Sequence, residues 1–194
     1  MGYATSRTIF APGELPKILL SASVLGLSFT LATRGDLLSF AFALVTVGLG
    51  FVGHELAHKF VAMKFGYYAS YQIWPLGLIL ALVFSIVAGV IFAALGAVQI
   101  FGRGLSRTEQ GIISISGPTF NVVLAVIFLA LSVPLGGFYE NAMIWGATLN
   151  SLIALFNCIP FSILDGRKIF YWDKGMWVLI VAVSAATLAI SWGI

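Results

Sequence analysis

Long apolar runs, separated by short polar segments, make up most of the chain. A membrane-spanning helix needs about 20 apolar residues, because each residue advances a helix by about 1.5 Å. Runs of this kind lie at 15–33, 37–65, 76–98, 111–134, 142–160 and 175–193. The pattern predicts an all-α membrane protein, a polytopic bundle of transmembrane helices with about five to six membrane segments.

Composition points to the same class of protein. Of 194 residues, 60% are hydrophobic and 9% are charged, and the mean hydropathy is +1.06. Soluble domains carry about 25% charged residues. The length suits a single domain over 1–194. The net charge of +3 is weak support for a nucleic-acid partner, because basic residues of a membrane protein mainly report its orientation, so we expect a lipid bilayer and no nucleic acid as partners.

The basic residues favour one topology. If all six runs cross the membrane, Lys59 and Lys64 fall on the side opposite to most other cations. If 76–98 enters and leaves on one side, nine of the ten basic residues share that side and Arg34 alone lies across. The positive-inside rule favours the second arrangement, with the basic side cytoplasmic. We therefore predict five full spans and a re-entrant or hairpin segment at 76–98; an ordinary sixth span is the alternative.

The predicted hairpin has its own local signals. Gly89, in SIVAGVIF, is a plausible turning point. The flanking stretches SYQIWPLG and GAVQIFG have strand-like character, and they are expected to pair as a short membrane-associated β-ribbon at the inner surface. The backbone of such a segment must be satisfied by protein, because lipid offers it no hydrogen bonds.

Ionisable side chains interrupt the second run in the motif GHELAH. His54 and His58 share one face of a helix, so their imidazoles can hold one Zn²⁺, and Glu55 can reach a water on that ion without being a ligand. Zinc lowers the pKa of bound water to about 7, and a carboxylate can carry its proton. Ionisable residues within a span are rare and usually functional, which favours a metal site over chance polar residues at a helix end.

The third ligand has to be a carboxylate, because a catalytic zinc takes three protein ligands and Cys158 is the only cysteine. The candidates are Glu14, Asp36, Glu109, Glu140, Asp165 and Asp173. Glu109 fits a helix cap better, and Asp36 and Glu140 lie on the far side of the predicted topology. We favour Asp165, since the irregular stretch around it can dip into the bundle at the end where the HELAH helix also finishes. A solvated Asp-Gly turn is the alternative for this residue.

Three motifs, in this order, resemble the site-2 proteases, a family of intramembrane zinc metalloproteases. HELAH at 54–58 is similar to the family's HExxH helix, and GPTFN at 117–121 to its GPxxN element. NSLIALFNCIPFSILDG at 150–166 resembles its Asn-rich span with the LDG motif. The resemblance covers about 48–170. FSILDG lacks the second glycine that is often found there, but no ligand and no base is missing.

The resemblance implies a metalloendopeptidase with His54, His58 and Asp165 as the ligands of one zinc and Glu55 as the general base. The expected substrate is a transmembrane protein or peptide, cleaved within or near its membrane segment. The expected location is the cell membrane, with the active site towards the cytoplasmic side. The alternative is a zinc-binding membrane protein without protease activity, a scaffold or metal transporter. Polar ligands gathered at one depth favour a site over a transport path.

Three asparagines are further candidates in the resemblance. Asn157, Asn121 and Asn150 would lie near the cleft, where a side-chain amide can bind the substrate backbone or a developing oxyanion. Hydrogen bonding between helices is the alternative for all three, and it is the favoured interpretation for Asn121 and Asn150.

Overall fold

The computed structural model describes residues 9–89, 95–102, 104–162 and 164–193, and these form a helical bundle with one small sheet. A π-helical turn, Leu44–Gly48, joins two helices into one continuous 28-residue helix, Leu37–Lys64. The elements in chain order are α1 (Glu14–Ala32), α2 (Leu37–Ala43), α3 (Leu49–Lys64), β1 (Tyr68–Ile73), α4 (Pro75–Ala88), β2 (Gly96–Phe101), α5 (Arg107–Ser132), α6 (Gly137–Asn157), α7 (Asp165–Trp172) and α8 (Lys174–Gly193). The predicted all-α membrane class is confirmed.

Within the described residues, four helices are long and apolar enough to cross a membrane. They are α1, the continuous helix Leu37–Lys64, α5 and α8. The predicted span 142–160 corresponds to α6, which has 21 residues but is not one of the four. Polar side chains of α6 bond to α8: Thr148 bonds Ser191 at 2.9 Å and Ser151 bonds Thr187 at 2.8 Å. These bonds hold α6 antiparallel to α8.

The interior of the bundle mixes apolar and polar side chains, whereas the outside is apolar. Buried side chains include Ser28, Thr46, Asn121, Asn150 and Ser184, whereas the exposed faces of α5 and α8 carry Val123, Val126, Ile127, Val178, Leu179 and Val183. Lipid tails are as apolar as leucine, so helices in a membrane associate through close packing and hydrogen bonds. This distribution is typical of a bundle that faces lipid.

The segment 76–98 does not form one long helix. The helix α4 ends at Gly89, whose φ of +63° is a left-handed cap, as the sequence predicted for this glycine. Residues 90–94 lie outside the described part of the chain. The strands β1 and β2 pair antiparallel with Ile73 opposite Gly96, so the predicted β-ribbon is confirmed. The two ends of the segment therefore lie side by side.

A buried ion pair attaches this ribbon to α3. The Lys59 ammonium lies 2.7 and 2.9 Å from the two carboxylate oxygens of Glu14 and donates to the carbonyl of Ala69 at 2.6 Å. Glu14 also accepts from the Tyr71 amide at 2.8 Å. Both side chains are 1% exposed. Glu14, a candidate metal ligand in the sequence, thus has a different partner in the structure.

Replacing Lys59 with methionine should destabilise the protein by about 3–5 kcal/mol, because the Glu14 carboxylate is left buried without its counter-charge. Thermal unfolding in detergent would show this as a lower midpoint. The exposed Lys64 is the matched control, and Lys64→Met should unfold close to wild type. Equal midpoints for Lys59→Met and wild type would contradict the anchoring role of the pair.

Candidate metal centre

Three side chains from distant parts of the chain meet in the bundle. His54, His58 and Asp165 are all buried, and each offers a ligand atom within 4.8 Å of the others. The Asp165 Oδ2 atom lies 2.9 Å from His58 Nε2 and 3.3 Å from His54 Nε2. The two Nε2 atoms are 3.0 Å apart. Two imidazoles and one carboxylate are a donor set of catalytic zinc sites, so the group fits one Zn²⁺.

Local structure explains why these residues meet. The two histidines lie one turn apart on the same face of α3. Asp165 is the first residue of α7, which starts close to the end of α6. A Cβ atom on Gly166 would collide with the backbone carbonyl of Cys158, so a glycine at this position allows the close approach of α7 to α6.

The outer nitrogen of His54 is held by a chain of amides. Its Nδ1 lies 2.6 Å from Asn121 Oδ1. Asn121 in turn donates to Asn150 Oδ1 at 2.9 Å and to the carbonyl of Gly50 at 3.1 Å. Asn150 donates to the carbonyl of Thr46, in the π-helical turn, at 3.3 Å. An amide oxygen can only accept, so this contact favours a proton on Nδ1 and leaves Nε2 free for a metal.

His58 is oriented in the same way. Its Nδ1 lies 2.7 Å from the backbone carbonyl of Ile113 on α5. The Nε2 atoms of both histidines face Gly117, a glycine of α5. A Cβ atom on Gly117 would lie 2.5 Å from His58 Nε2 and 2.6 Å from His54 Nε2. Any side chain there would occupy the place of the metal, which gives the glycine of GPTFN a role that packing alone did not predict.

Asp165 turns one carboxylate oxygen, Oδ2, towards the two histidines. Its second oxygen, Oδ1, lies 3.3 Å from the Lys168 ammonium. Sequence reasoning missed Lys168, which lies one turn after Asp165 on α7.

A cavity of about 190 Å³ opens beside the three ligands. Glu55 shares it and is 8% exposed. Residues of β2 form one wall, and the end of α6 and Lys168 contribute to the other. The Glu55 carboxylate accepts a hydrogen bond from the Val98 amide of β2 at 2.9 Å. The Glu55 carboxylate, the three candidate metal ligands and the edge of β2 therefore line one cavity.

The three asparagine candidates fall in different places. Asn157 lines the cavity, and its amide donates to the carbonyl of Ile153 at 3.0 Å. Asn121 and Asn150 are fully buried behind His54. Their amides bond between helices, which is the interpretation that the sequence favoured for these two.

Three of the rejected carboxylates begin helices. Asp36 accepts from the Ser39 amide at 2.9 Å at the start of α2. Glu109 forms the predicted capping arrangement at the start of α5. Asp173 accepts from the Met176 amide at 3.0 Å at the start of α8. Their local roles agree with their exclusion from the metal group.

Two proteins that are similar to this chain are named as zinc metalloproteases. A protein of Methanocaldococcus jannaschii, provisionally named a zinc metalloprotease, is 35% identical over 176 residues, which cover 89% of this chain and 92% of the relative. Rip3 of Mycobacterium tuberculosis, also provisionally named a zinc metalloprotease, is 29% identical over 124 residues, which cover 61% of this chain and 27% of Rip3. No family model and no solved structure matches the chain.

The first relative covers nearly the whole chain, and the histidine–histidine–aspartate group provides the donors that a zinc metalloprotease requires. The ordered motifs HELAH, GPTFN and LDG agree with both. The chain belongs to the site-2 protease family of zinc metalloproteases.

Proposed function

We propose that this metalloprotease is an intramembrane endopeptidase, which hydrolyses peptide bonds within or near the transmembrane segments of membrane proteins. The observation that carries the proposal is the position of the metal group and Glu55, in one buried cavity among helices whose outer faces are apolar. Because the outer faces of the helices are apolar and face lipid, a substrate that enters the cavity between two helices comes from the bilayer.

In this proposal His54, His58 and Asp165 hold the zinc, and Glu55 moves the protons. Bound zinc supplies an acidified water and polarises the scissile carbonyl. Glu55 accepts the proton of the attacking water and delivers it to the leaving amine. The amide of Asn157, which lines the cavity, would hold the substrate backbone.

The edge of β2 is the proposed seat for the substrate backbone. The backbone N–H of Trp74 donates to the Leu95 carbonyl at 2.8 Å, so these two residues form a hydrogen-bonded pair of the antiparallel ladder. Hydrogen-bonded and non-hydrogen-bonded pairs alternate along such a ladder. Gly96, Val98 and Ile100 therefore belong to non-hydrogen-bonded pairs and turn their backbone N–H and C=O groups away from β1. All three line the cavity. An extended substrate can therefore add as a third strand at this edge.

The opposite edge of the ribbon is not available for such pairing. On β1 the outward backbone groups include the carbonyl of Ala69 and the amide of Tyr71, and these bind Lys59 and Glu14. The sequence left open whether SYQIWPLG or GAVQIFG would hold the substrate. The buried ion pair on β1 favours GAVQIFG.

The distribution of charge supports a cell-membrane location with the cavity towards the cytoplasm. Lys64 ends α3 and Arg107 begins α5, and the bonds of His54 to Asn121 and of His58 to Ile113 bring these two ends to one side of the bundle. Lys174 begins α8 on the same side, because the preceding Trp172 packs against Gly111 near the start of α5. Arg34 lies between α1 and α2, at the other end. Cytoplasmic loops are enriched in Lys and Arg, so the end that carries the cavity faces the cytoplasm and its water.

Glu55→Gln should keep about one zinc per chain and lower cleavage of a model transmembrane substrate by about 10²–10⁴-fold, because only the proton carrier is lost. Asp165→Asn should lose both zinc and cleavage. Metal content and cleavage would be measured on the same detergent-purified samples. A normal cleavage rate in Glu55→Gln would refute the mechanism, and a zinc-loaded wild type that cleaves no membrane substrate would favour the non-proteolytic alternative.

Asn121→Leu should weaken zinc affinity by about 10–100-fold, because His54 loses the partner that orients its ring. Asn157→Leu is the matched control: it removes an amide from the cavity wall and should leave zinc affinity close to wild type. Competition with a zinc chelator would give both affinities. Equal effects of the two substitutions would contradict the separate roles assigned to these amides.

A further inference from the structure

Glu55 occupies the same strand edge that the substrate would use. Its carboxylate accepts the Val98 N–H at 2.9 Å, and Val98 lies at the centre of the free edge between Gly96 and Ile100. A strand that pairs along this edge needs the N–H of Val98 as a donor. Since an amide carries a single hydrogen, a paired substrate and Glu55 compete for it.

The two edges of the ribbon are held with different strength. At β1 a charged pair that is 1% exposed makes several short hydrogen bonds to Ala69 and Tyr71. At β2 one hydrogen bond joins Val98 to Glu55, and this bond lies in the cavity. The ribbon can therefore stay anchored to α3 at β1 while the contact at β2 is exchanged.

We propose that the Glu55–Val98 hydrogen bond is a latch, which an extended substrate opens by pairing with β2 and taking over the Val98 N–H. This inference rests on the proposed function. It adds that the Glu55 carboxylate becomes available as the base only when an extended substrate is bound. A substrate carbonyl replaces the Glu55 carboxylate as the acceptor. One hydrogen bond is exchanged for another, so the exchange itself costs little. The released carboxylate is then free to act as the proton carrier.

The latch selects substrates by backbone shape. A helical segment uses its own N–H and C=O groups internally and offers β2 no free carbonyl. A locally unwound segment offers an alternating row of them. Peptides too short to pair with β2 leave the latch closed and should be poor substrates in spite of easy access.

Val98→Pro tests the latch, because proline removes the N–H without breaking a bond of the β1–β2 ladder at this edge position. We expect it to raise cleavage of a fluorogenic tripeptide by about 2–10-fold, the weight of one hydrogen bond. For a long, unwound transmembrane substrate, Val98→Pro should raise KM, because the paired substrate loses the same N–H as a donor. Ile100→Pro is the matched control, since it removes another N–H from the same edge; it should raise KM for the long substrate without faster tripeptide cleavage.

The contrary result is a Val98→Pro variant that cleaves both substrates more slowly at unchanged zinc content. That outcome would make Val98 a fixed support of Glu55 and overturn the latch. It would leave the proposed function intact, because the wild type still cleaves the long substrate. Failure of zinc-loaded wild type on every long substrate would instead defeat the proposed function. If the proline variant does not fold, replacing Val98 by its α-hydroxy acid analogue, 2-hydroxyisovaleric acid, puts a backbone ester in place of the same N–H and has the same expected results.

Amide exchange gives a readout that does not depend on activity. The Val98 amide of zinc-loaded wild type should exchange slowly, and Glu55→Ala should exchange it faster. A non-hydrolysable extended peptide added to Glu55→Ala should restore the protection. Unchanged exchange in Glu55→Ala would show that no latch holds this amide, and lack of protection by the peptide would show that substrates do not take it over.

Discussion

Buried polar groups in this bundle have to find their partners inside the protein, because the surrounding lipid provides none; among the described side chains, Ser28 Oγ is the exception. The metal site depends on this constraint. A histidine ring whose outer nitrogen was unpaired would be costly and badly oriented, and here both outer nitrogens are bonded, to Asn121 and to the carbonyl of Ile113. The amide chain from His54 through Asn121 and Asn150 crosses three helices. These hydrogen bonds thus join the helices and also fix the orientation of the two histidine rings.

The helix α3 joins this site to the β-ribbon. One of its faces carries the two histidines, whereas Glu55 and Lys59, which are also one turn apart, bond to the two strands. A strong, buried contact at β1 and a single bond at β2 give the ribbon a fixed side and an exchangeable side. The base and two of the three metal ligands therefore lie on α3, and the ribbon that carries the proposed substrate edge is bonded to the same helix. Under the proposed latch, the shape of the substrate backbone, and not only its residues, determines cleavage.

Features that depend on residues close together in the chain could be predicted from the sequence. Helical spacing predicts that His54 and His58 converge, and charge asymmetry predicts a segment that returns at 76–98. Asp165 could be chosen only because topology left few carboxylates at the right end. The partners of His54 and the pairing of Lys59 with Glu14 join residues 67 and 45 positions apart, and residue types alone do not specify such pairs. Gly117 was hidden for a related reason, since its role is the space that it leaves beside the histidines.

In the proposed metal centre, His54, His58 and Asp165 together hold one zinc ion. X-ray absorption at the zinc edge of purified wild-type protein would test this coordination, because the spectrum reports the ligand atoms themselves. Four light-atom ligands at about 2.0–2.1 Å are expected, two of them with the multiple scattering of imidazole. A sulfur ligand at about 2.3 Å, or a shell without imidazole scattering, would show that the zinc is held by other residues.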